Sequence, residues 1–216
     1  MEYEKVLEAI KKVKESSEKR NFEQRIDLTF NFKELDLKKP EHQVDFFLTL
    51  PNVPGKAKRI SAFVDTELID EAKQNLEFYL TPDKFAQYKD KKAAKKLAND
   101  YDYFIAQATL MKDIAASFGR ILGSRGKMPN PKAGMVVPPR TQLAPLVAKL
   151  KNTIHVKVKT SPVFHAPIGS EKQSDEEIAK NVMFAFEQIT AHLPQEDRNV
   201  KSVFIKTTMG APVRVI

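Results

Sequence analysis

The chain of 216 residues carries 36 Lys and Arg against 28 Asp and Glu, a formal net charge of +8, and 42% of its residues are hydrophobic. That apolar fraction is enough for a core and argues against wholesale disorder. Cysteine is absent, which excludes a disulfide framework, a thiol nucleophile, a thiolate zinc site and an iron–sulfur cluster. Tyr3, Val6, Leu7, Ile10 and Val13 recur at helical spacing among Glu and Lys, predicting an amphipathic helix. From Arg25 to Phe32 the period changes to two, with Ile26, Leu28, Phe30 and Phe32 alternating with polar residues, which predicts a half-buried strand. Val44 to Leu50 reads as a second strand, closed by Pro51-Asn52-Val53-Pro54-Gly55.

The texture then shifts. Arg59 to Val64 reads as a short buried strand, Thr66 as the cap of a helix to about Asn75, and Phe78 to Leu80 as another strand. A Lys-rich helical stretch follows from Pro82 to Ala98, then a strand from Tyr103 to Gln107 and a helix from Leu110 to Phe118. A further helix spans about Gln142 to Lys151. Strands alternating with helices predict βαβ units and a parallel sheet. After this, Ile154 to Lys159 alternates apolar and basic residues and Pro162 to Ile168 is extended. Ser174-Asp175-Glu176-Glu177 is a capping box for a helix to about His192, with Ile178, Val182, Phe186 and Ile189 on its buried face. Val200 to Thr208 and Val213 to Ile216 close the chain as strands.

Neither end supplies a complete layer by itself. Together they make a four-stranded sheet with helices on one face. The expected fold class is therefore α/β, with an α+β and an α/β part. A discontinuous split β-α-β-like domain of residues 1–58 with 153–216 encloses an inserted Rossmann-like three-layer domain of residues 59–152. The two chain crossings, near Pro54-Gly55 and Lys151-Thr153, are expected to act as a hinge. The start Met1-Glu2-Tyr3-Glu4-Lys5 carries no apolar signal core, and no apolar run approaches the ~18 residues of a membrane span. A cytosolic chain without a membrane partner is expected.

Charge points to a polyanion. From Ile114 to Ser170 there is no Asp or Glu, while Arg120, Arg125, Lys127, Lys132, Arg140, Lys149, Lys151, Lys157 and Lys159 fall in that run. Residues 59–153 hold 16 basic and 10 acidic side chains, and the rest of the chain 20 and 18. Electrostatics alone would put nucleic acid on the inserted domain, but phosphate attraction does not say which surface reads a structure.

Two segments concentrate chemistry. Gly119 to Gly134 follows a predicted helix and combines glycines with Arg120, Arg125, Lys127 and Lys132. It is not a P-loop, because Gly126-Lys127 would require Gly at Ile121 and a hydroxyl at Met128. The other reading is a turn-rich surface loop. Lys206-Thr207-Thr208-Met209-Gly210 ends a strand with hydroxyls, a flexible thioether and a glycine, which fit closely against nucleotides. A plain strand ending has the same composition. His42, His155, His165 and His192 are scattered, without carboxylates at ligand spacing, so neither a metal site nor a catalytic constellation is expected, and no cofactor.

These residues resemble the ribosomal protein L-one family, the protein of the lateral stalk of the large subunit. The resemblance is carried by the Gly119–Gly134 segment, Thr207-Thr208-Met209-Gly210, Asn21-Phe22-Glu23-Gln24 and His165-Ala166-Pro167-Ile168-Gly169, and it runs over nearly the whole chain. The compact ends resemble archaeal more than bacterial members. The resemblance implies a non-enzymatic ribosomal protein, monomeric when free. It would bind a large-subunit rRNA stalk junction, assist release of exit-site tRNA, and repress translation by binding its own mRNA. It further implies an RNA surface on the discontinuous domain. Phe22 would pack on nucleotides, and Asp27, which stands where relatives often carry Glu, would accept from a ribose or base. Ser202, Lys206, Thr207, Thr208, Met209 and Gly210 would form the second half. Lys159, Thr160, Ser161 and His165 would flank it, next to Pro162 where bacterial relatives tend to have Gly. Arg120, Arg125, Lys127 and Lys132 would be secondary contacts.

Two other classes compete. An enzyme acting on nucleotides would need an open crevice at the carboxyl ends of the inserted strands. A purely charge-driven binder would hold random duplex as tightly as stalk RNA.

Overall fold

A computed structural model describes residues 2–88 and 90–216. Chain order is α1 (Tyr3–Glu15), β1 (Arg25–Phe32), β2 (Val44–Thr49), β3 (Ile60–Phe63), α2 (Ile69–Asn75), β4 (Phe78–Leu80), α3 (Lys91–Asp100), β5 (Tyr103–Gln107), α4 (Met111–Ser124), β6 (Val136–Val137), α5 (Leu143–Asn152), β7 (Thr153–Val158), β8 (Val163–Ser170), α6 (Asp175–Ala191), β9 (Val200–Thr207) and β10 (Val213–Arg214). The fold is mixed α/β. It separates into two units, one ending at Ala57 and resuming over Asn152–Ile216, the other formed by Lys58–Lys151.

In the discontinuous unit the alternation of β1 decides the layers. Ile26, Leu28, Phe30 and Phe32 are buried, and they share a core with Val6, Ile10 and Val13 of α1 and Ile178, Val182, Phe186 and Ile189 of α6. β1 lies between β8 and β9 in the antiparallel order β10–β9–β1–β8. Both helices cover the apolar face. Arg25, Asp27, Thr29 and Asn31 therefore project from the opposite face. On that face Asp27 lies between Pro167 and Lys206, Thr29 between His165 and Phe204, and Asn31 between Val163 and Ser202. β2 does not join this sheet. It pairs with β7 as a separate two-stranded ladder from Val44↔Val158 to Thr49↔Thr153, because β8 and β10 already hold the outer positions. The Ser174 hydroxyl accepts from Glu177 N and starts α6 as the capping box requires.

In the other unit β4–β3–β5–β6 form a parallel sheet. All four residues of β3 are buried, which demands cover on both faces. Phe63, Phe104 and Ala106 pack with Ala94 and Leu97 of α3 and Ile114, Phe118 and Leu122 of α4. Ile60, Ala62 and Ile105 alternate to the other face, the side served by α2 and α5. There the Leu143 amide donates to the Glu71 carboxylate, joining the two helices.

Three helix boundaries differ from those read in the sequence. The stretch from Pro82 to Ala98 is two elements, a 3-10 segment to Tyr88 and then α3, because the Asp90 carboxylate accepts from Lys92 N and starts a fresh helix. Asp65, not Thr66, supplies the cap before α2, its side chain accepting from Thr66 N. α4 continues past Phe118 to Ser124, since Leu122 prolongs the buried stripe of Ile114 and Phe118 and outweighs the helix cost of Gly119 and Gly123.

Candidate nucleic-acid interface

The polar face of the four-stranded sheet has two ends, separated by the roughly 24 Å length of an eight-residue strand. The Arg25 end collects most of the candidates. Thr208 extends the β1–β9 ladder there: its amide donates to Arg25 O at 3.0 Å, and its hydroxyl accepts from Arg25 N at 3.1 Å. Met209 follows, 63% exposed, and Phe22 on the segment leading into β1 is 51% exposed. They are the two most exposed large apolar side chains among the described residues.

Gln24 connects these features and was not singled out by sequence reasoning. It is buried, its Oε1 accepts from Met209 N, and its Nε2 donates to Ser17 Oγ at 2.9 Å and Glu18 O at 3.1 Å. Ser17 Oγ in turn lies 3.2 Å from Thr207 Oγ1. One buried amide thus ties the segment after α1 to the Thr207–Gly210 turn. The sequence signal was its place in the Asn21-Phe22-Glu23-Gln24 segment before a strand, which gave it no role of its own. Glu23, Arg25, Asp27, Ser170, Thr208 and Lys56 line an open groove of about 590 Å³ beside Phe22. Arg25 and Lys56 supply cations that the sequence reading also passed over. Burial raises the pKa of the Asp27 carboxyl, against the opposing pull of Lys206, Arg25 and His165.

Two candidates change role. Thr207 is fully buried, so its hydroxyl is spent inside the turn and does not face solvent. Alternation explains this, because Thr207 shares the inward side of β9 with Val203 and Ile205. Ser202 faces the polar side but is 7% exposed, covered while accepting from Asn31 Nδ2 at 2.9 Å. It also sits at the far end of the face. Thr160 and Ser161 lie exposed in the β7–β8 turn at that same end, where Phe32 N donates to Pro162 O. Lys159 beside them is 2.5 Å from Asp45, which His155 also holds at 2.6 Å. Burial pushes the Asp45 carboxyl up, but the bonds from Lys159 and His155 outweigh it and leave the pKa lowered. His165 is exposed, its Nδ1 2.9 Å from Thr29 Oγ1.

The glycine-rich segment of the other unit is a clasp. Lys127 Nζ donates to Ala98 O at 2.9 Å and Tyr101 O at 2.6 Å, satisfying carbonyls at the end of α3. Burial holds its pKa below the usual lysine range. Lys127 is therefore a structural cation and not an open RNA contact. Arg125 is partly spent in the same way, donating to Lys95 O at 3.0 Å and to Asn99 Oδ1. Arg120 and Lys132 remain exposed. Replacing Lys127 by Met is expected to cost about 1–2 kcal/mol of stability, the usual result of orphaning part-buried acceptors. Urea unfolding measures this, and an unchanged midpoint would show that the ammonium is free.

The crevice where doubly wound sheets bind ligands lies at the carboxyl ends of β3 and β5. Here the buried Gln107 side chain crosses it, its Oε1 accepting from Asp65 N at 2.9 Å. Among the described residues no group of three or more His, Asp or Glu could hold a metal, and no helix is long and apolar enough to cross a membrane.

A two-unit α/β protein whose two most exposed large apolar side chains, Phe22 and Met209, flank one end of a polar sheet face has the build of a binding protein. The chain belongs to the ribosomal protein L1p/L10e family, whose model matches residues 11–211. It is 42% identical over 99% of both chains to large ribosomal subunit protein uL1 of Methanobrevibacter smithii. It is 39% identical to uL1 of Pyrococcus horikoshii, over 98% of this chain and 95% of that one. To uL1 of Thermoplasma volcanium it is 36% identical, over 100% and 97%. It is a ribosomal protein of the archaeal type and not an enzyme, and its place is the ribosome in the cytoplasm.

Proposed function

We propose that this chain is a structural constituent of the large subunit that grips a folded rRNA stalk junction with the Arg25 end of its polar sheet face. The observation that carries the reading is the joint exposure of Phe22 and Met209 beside Gln24, which holds the Met209 amide in place. Phe22 stacks on a base or ribose, and Met209 packs on a sugar face. Arg25 and Lys56 neutralise phosphate in the adjoining groove, and Asp27 takes a ribose hydroxyl or base amine. Lys206, paired across from Asp27, adds a cation beside it. The far-end residues Lys159, Thr160, Ser161 and His165 flank the same RNA. This unit is close to neutral, so recognition there depends on shape and hydrogen bonding more than on charge.

From the stalk position the protein helps release exit-site tRNA. The same surface, binding a like fold in its own mRNA, represses translation. Phe22→Ala and Met209→Ala are each expected to weaken binding of an rRNA stalk fragment by about 1–3 kcal/mol, with the fold unchanged. Filter binding reads this, and a change below about twofold in both would remove the site. Competition between the stalk fragment and the protein's own message leader tests the repressor role, which requires mutual exclusion.

A further inference from the structure

The second feature lies in the unit of Lys58–Lys151. A groove of about 460 Å³ runs between α3 and α4. Its lining is of two kinds. Lys91 and Lys95, one turn apart on α3, and Arg120 and Arg125 of the α4 side supply four cations. Tyr88 and Ile121 supply apolar surface, each half-buried against the core around Phe118. Two serines and an alanine complete it.

The chain itself leaves both kinds without an answer. No acid is among the described residues that line the groove, and among the described residues no ion pair engages Lys91, Lys95 or Arg120. Asp90, at the head of α3, is committed to its own helix, its carboxylate accepting from Lys92 N at 3.2 Å. Asp113, the last acid of α4, lies in its first turn, about two turns before Arg120. Arg125 is held at the groove by its bonds to Lys95 O and Asn99 Oδ1.

Cations alone would suit any polyanion, and the apolar pair decides between them. A phosphodiester backbone laid over Tyr88 and Ile121 would give up water there without gaining hydrogen bonds. A protein segment answers both kinds of lining, with carboxylates for the cations and one large apolar side chain for the pair. Tyr88 is ready to receive that side chain. Its ring is backed by Phe118, with centroids 6.1 Å apart, so little freedom is lost on contact. The spacing of Lys91 and Lys95 also matches carboxylates one helical turn apart on a partner. We propose that the α3–α4 groove docks an acidic protein segment, which seats one large apolar side chain against Tyr88 and Ile121. The proposal is independent of the reading of the Phe22–Met209 edge.

The test uses the full chain and a short labelled peptide of Glu and Ala with one central Phe, read by fluorescence anisotropy at about 150 mM salt. The same peptide with Ala in place of Phe should bind about fivefold more weakly. Ile121→Gln in the protein should weaken the Phe peptide by a similar factor, about fivefold, and leave the affinity for arbitrary RNA, single-stranded or duplex, unchanged. Lys95→Glu/Arg120→Glu should cost the peptide about tenfold or more, and a peptide with Lys in place of Glu should bind this variant better than the unaltered protein. Equal binding of the Phe and Ala peptides would overturn the proposal, as would an unaltered peptide affinity in Lys95→Glu/Arg120→Glu. If Ile121→Gln lowers RNA and peptide affinity alike, the groove is a nucleic-acid contact and the proposal falls. Circular dichroism checks the fold of Ile121→Gln. Should that variant unfold, the charge reversal on the exposed Lys95 and Arg120, with its rescue by the Lys peptide, decides alone, and absence of rescue would overturn the proposal.

Discussion

Gly210→Ala is expected to weaken rRNA binding by about 2–3 kcal/mol, roughly 30- to 150-fold, while the sheet stays intact. A Cβ at Gly210 would stand 2.2 Å from Thr207 Oγ1 and 3.5 Å from Thr207 Cβ. A hydroxyl at the end of a flexible side chain would swing aside at little cost. Thr207 cannot do so freely, because it is β-branched, fully buried and engaged with Ser17 Oγ. Rotating it brings its methyl toward the new carbon or strands its hydroxyl in the core. The turn gives way instead, and with it the Met209 amide that Gln24 holds. This account predicts a rescue. Thr207→Ala removes both γ atoms, so the double variant Thr207→Ala/Gly210→Ala should recover much of the affinity lost by Gly210→Ala alone. If the double variant binds no better, Gly210 matters because RNA backbone approaches it directly, and the packing argument fails. Filter binding of the two variants against the same stalk fragment decides between the accounts.

What could be read in the sequence was whatever depends on local period and local capping. β1 shows its buried face in the alternation from Ile26 to Phe32, and the Ser174 cap of α6 stands three residues before Glu177. What could not be read depends on where distant groups meet. Lys127 in a glycine-rich segment reads as a free cation, and only the end of α3 arriving beside it reveals a clasp. Gln24 reads as a polar residue before a strand, and its importance appears only when Ser17 and Met209 are within bonding distance of one amide. Thr207 and Thr208 look alike in the chain, yet one residue of phase in β9 sends the first inward and leaves the second exposed. Net charge and exposed apolar surface point to different units. Charge located the larger positive excess, but the exposed apolar pair Phe22 and Met209 stands on the nearly neutral unit.

The segment that closes β2 leads to the last and most destabilising substitution. Gly55 has φ +81°, and a Cβ there would lie 2.7 Å from Gly169 O and 3.1 Å from Gly169 C. Both obstacles are backbone, and β8 is held in the sheet by β1, so neither can yield cheaply. The segment cannot retreat either. Asn52 N donates to the buried Asn181 Oδ1 at 3.0 Å, Asn181 Nδ2 donates to Asn52 O and Ile168 O, and Gln173 Nε2 holds Val53 O. Gly55→Ala should therefore cost about 3 kcal/mol or more, combining left-handed strain with a close backbone approach. Gly126→Ala separates the two contributions. Gly126 has a similar φ of +65°, but nothing lies within 4 Å of its Cβ position, so alanine there bears only the conformational part, about 1–2 kcal/mol. Hydrogen exchange compares them inside their own units, through the amides of β8 for Gly55→Ala and those of α4 for Gly126→Ala. The difference in opening free energy reports the approach of the segment to β8. Equal losses at the two positions would mean that the segment moves off β8 when crowded, and that Asn181 does not anchor it.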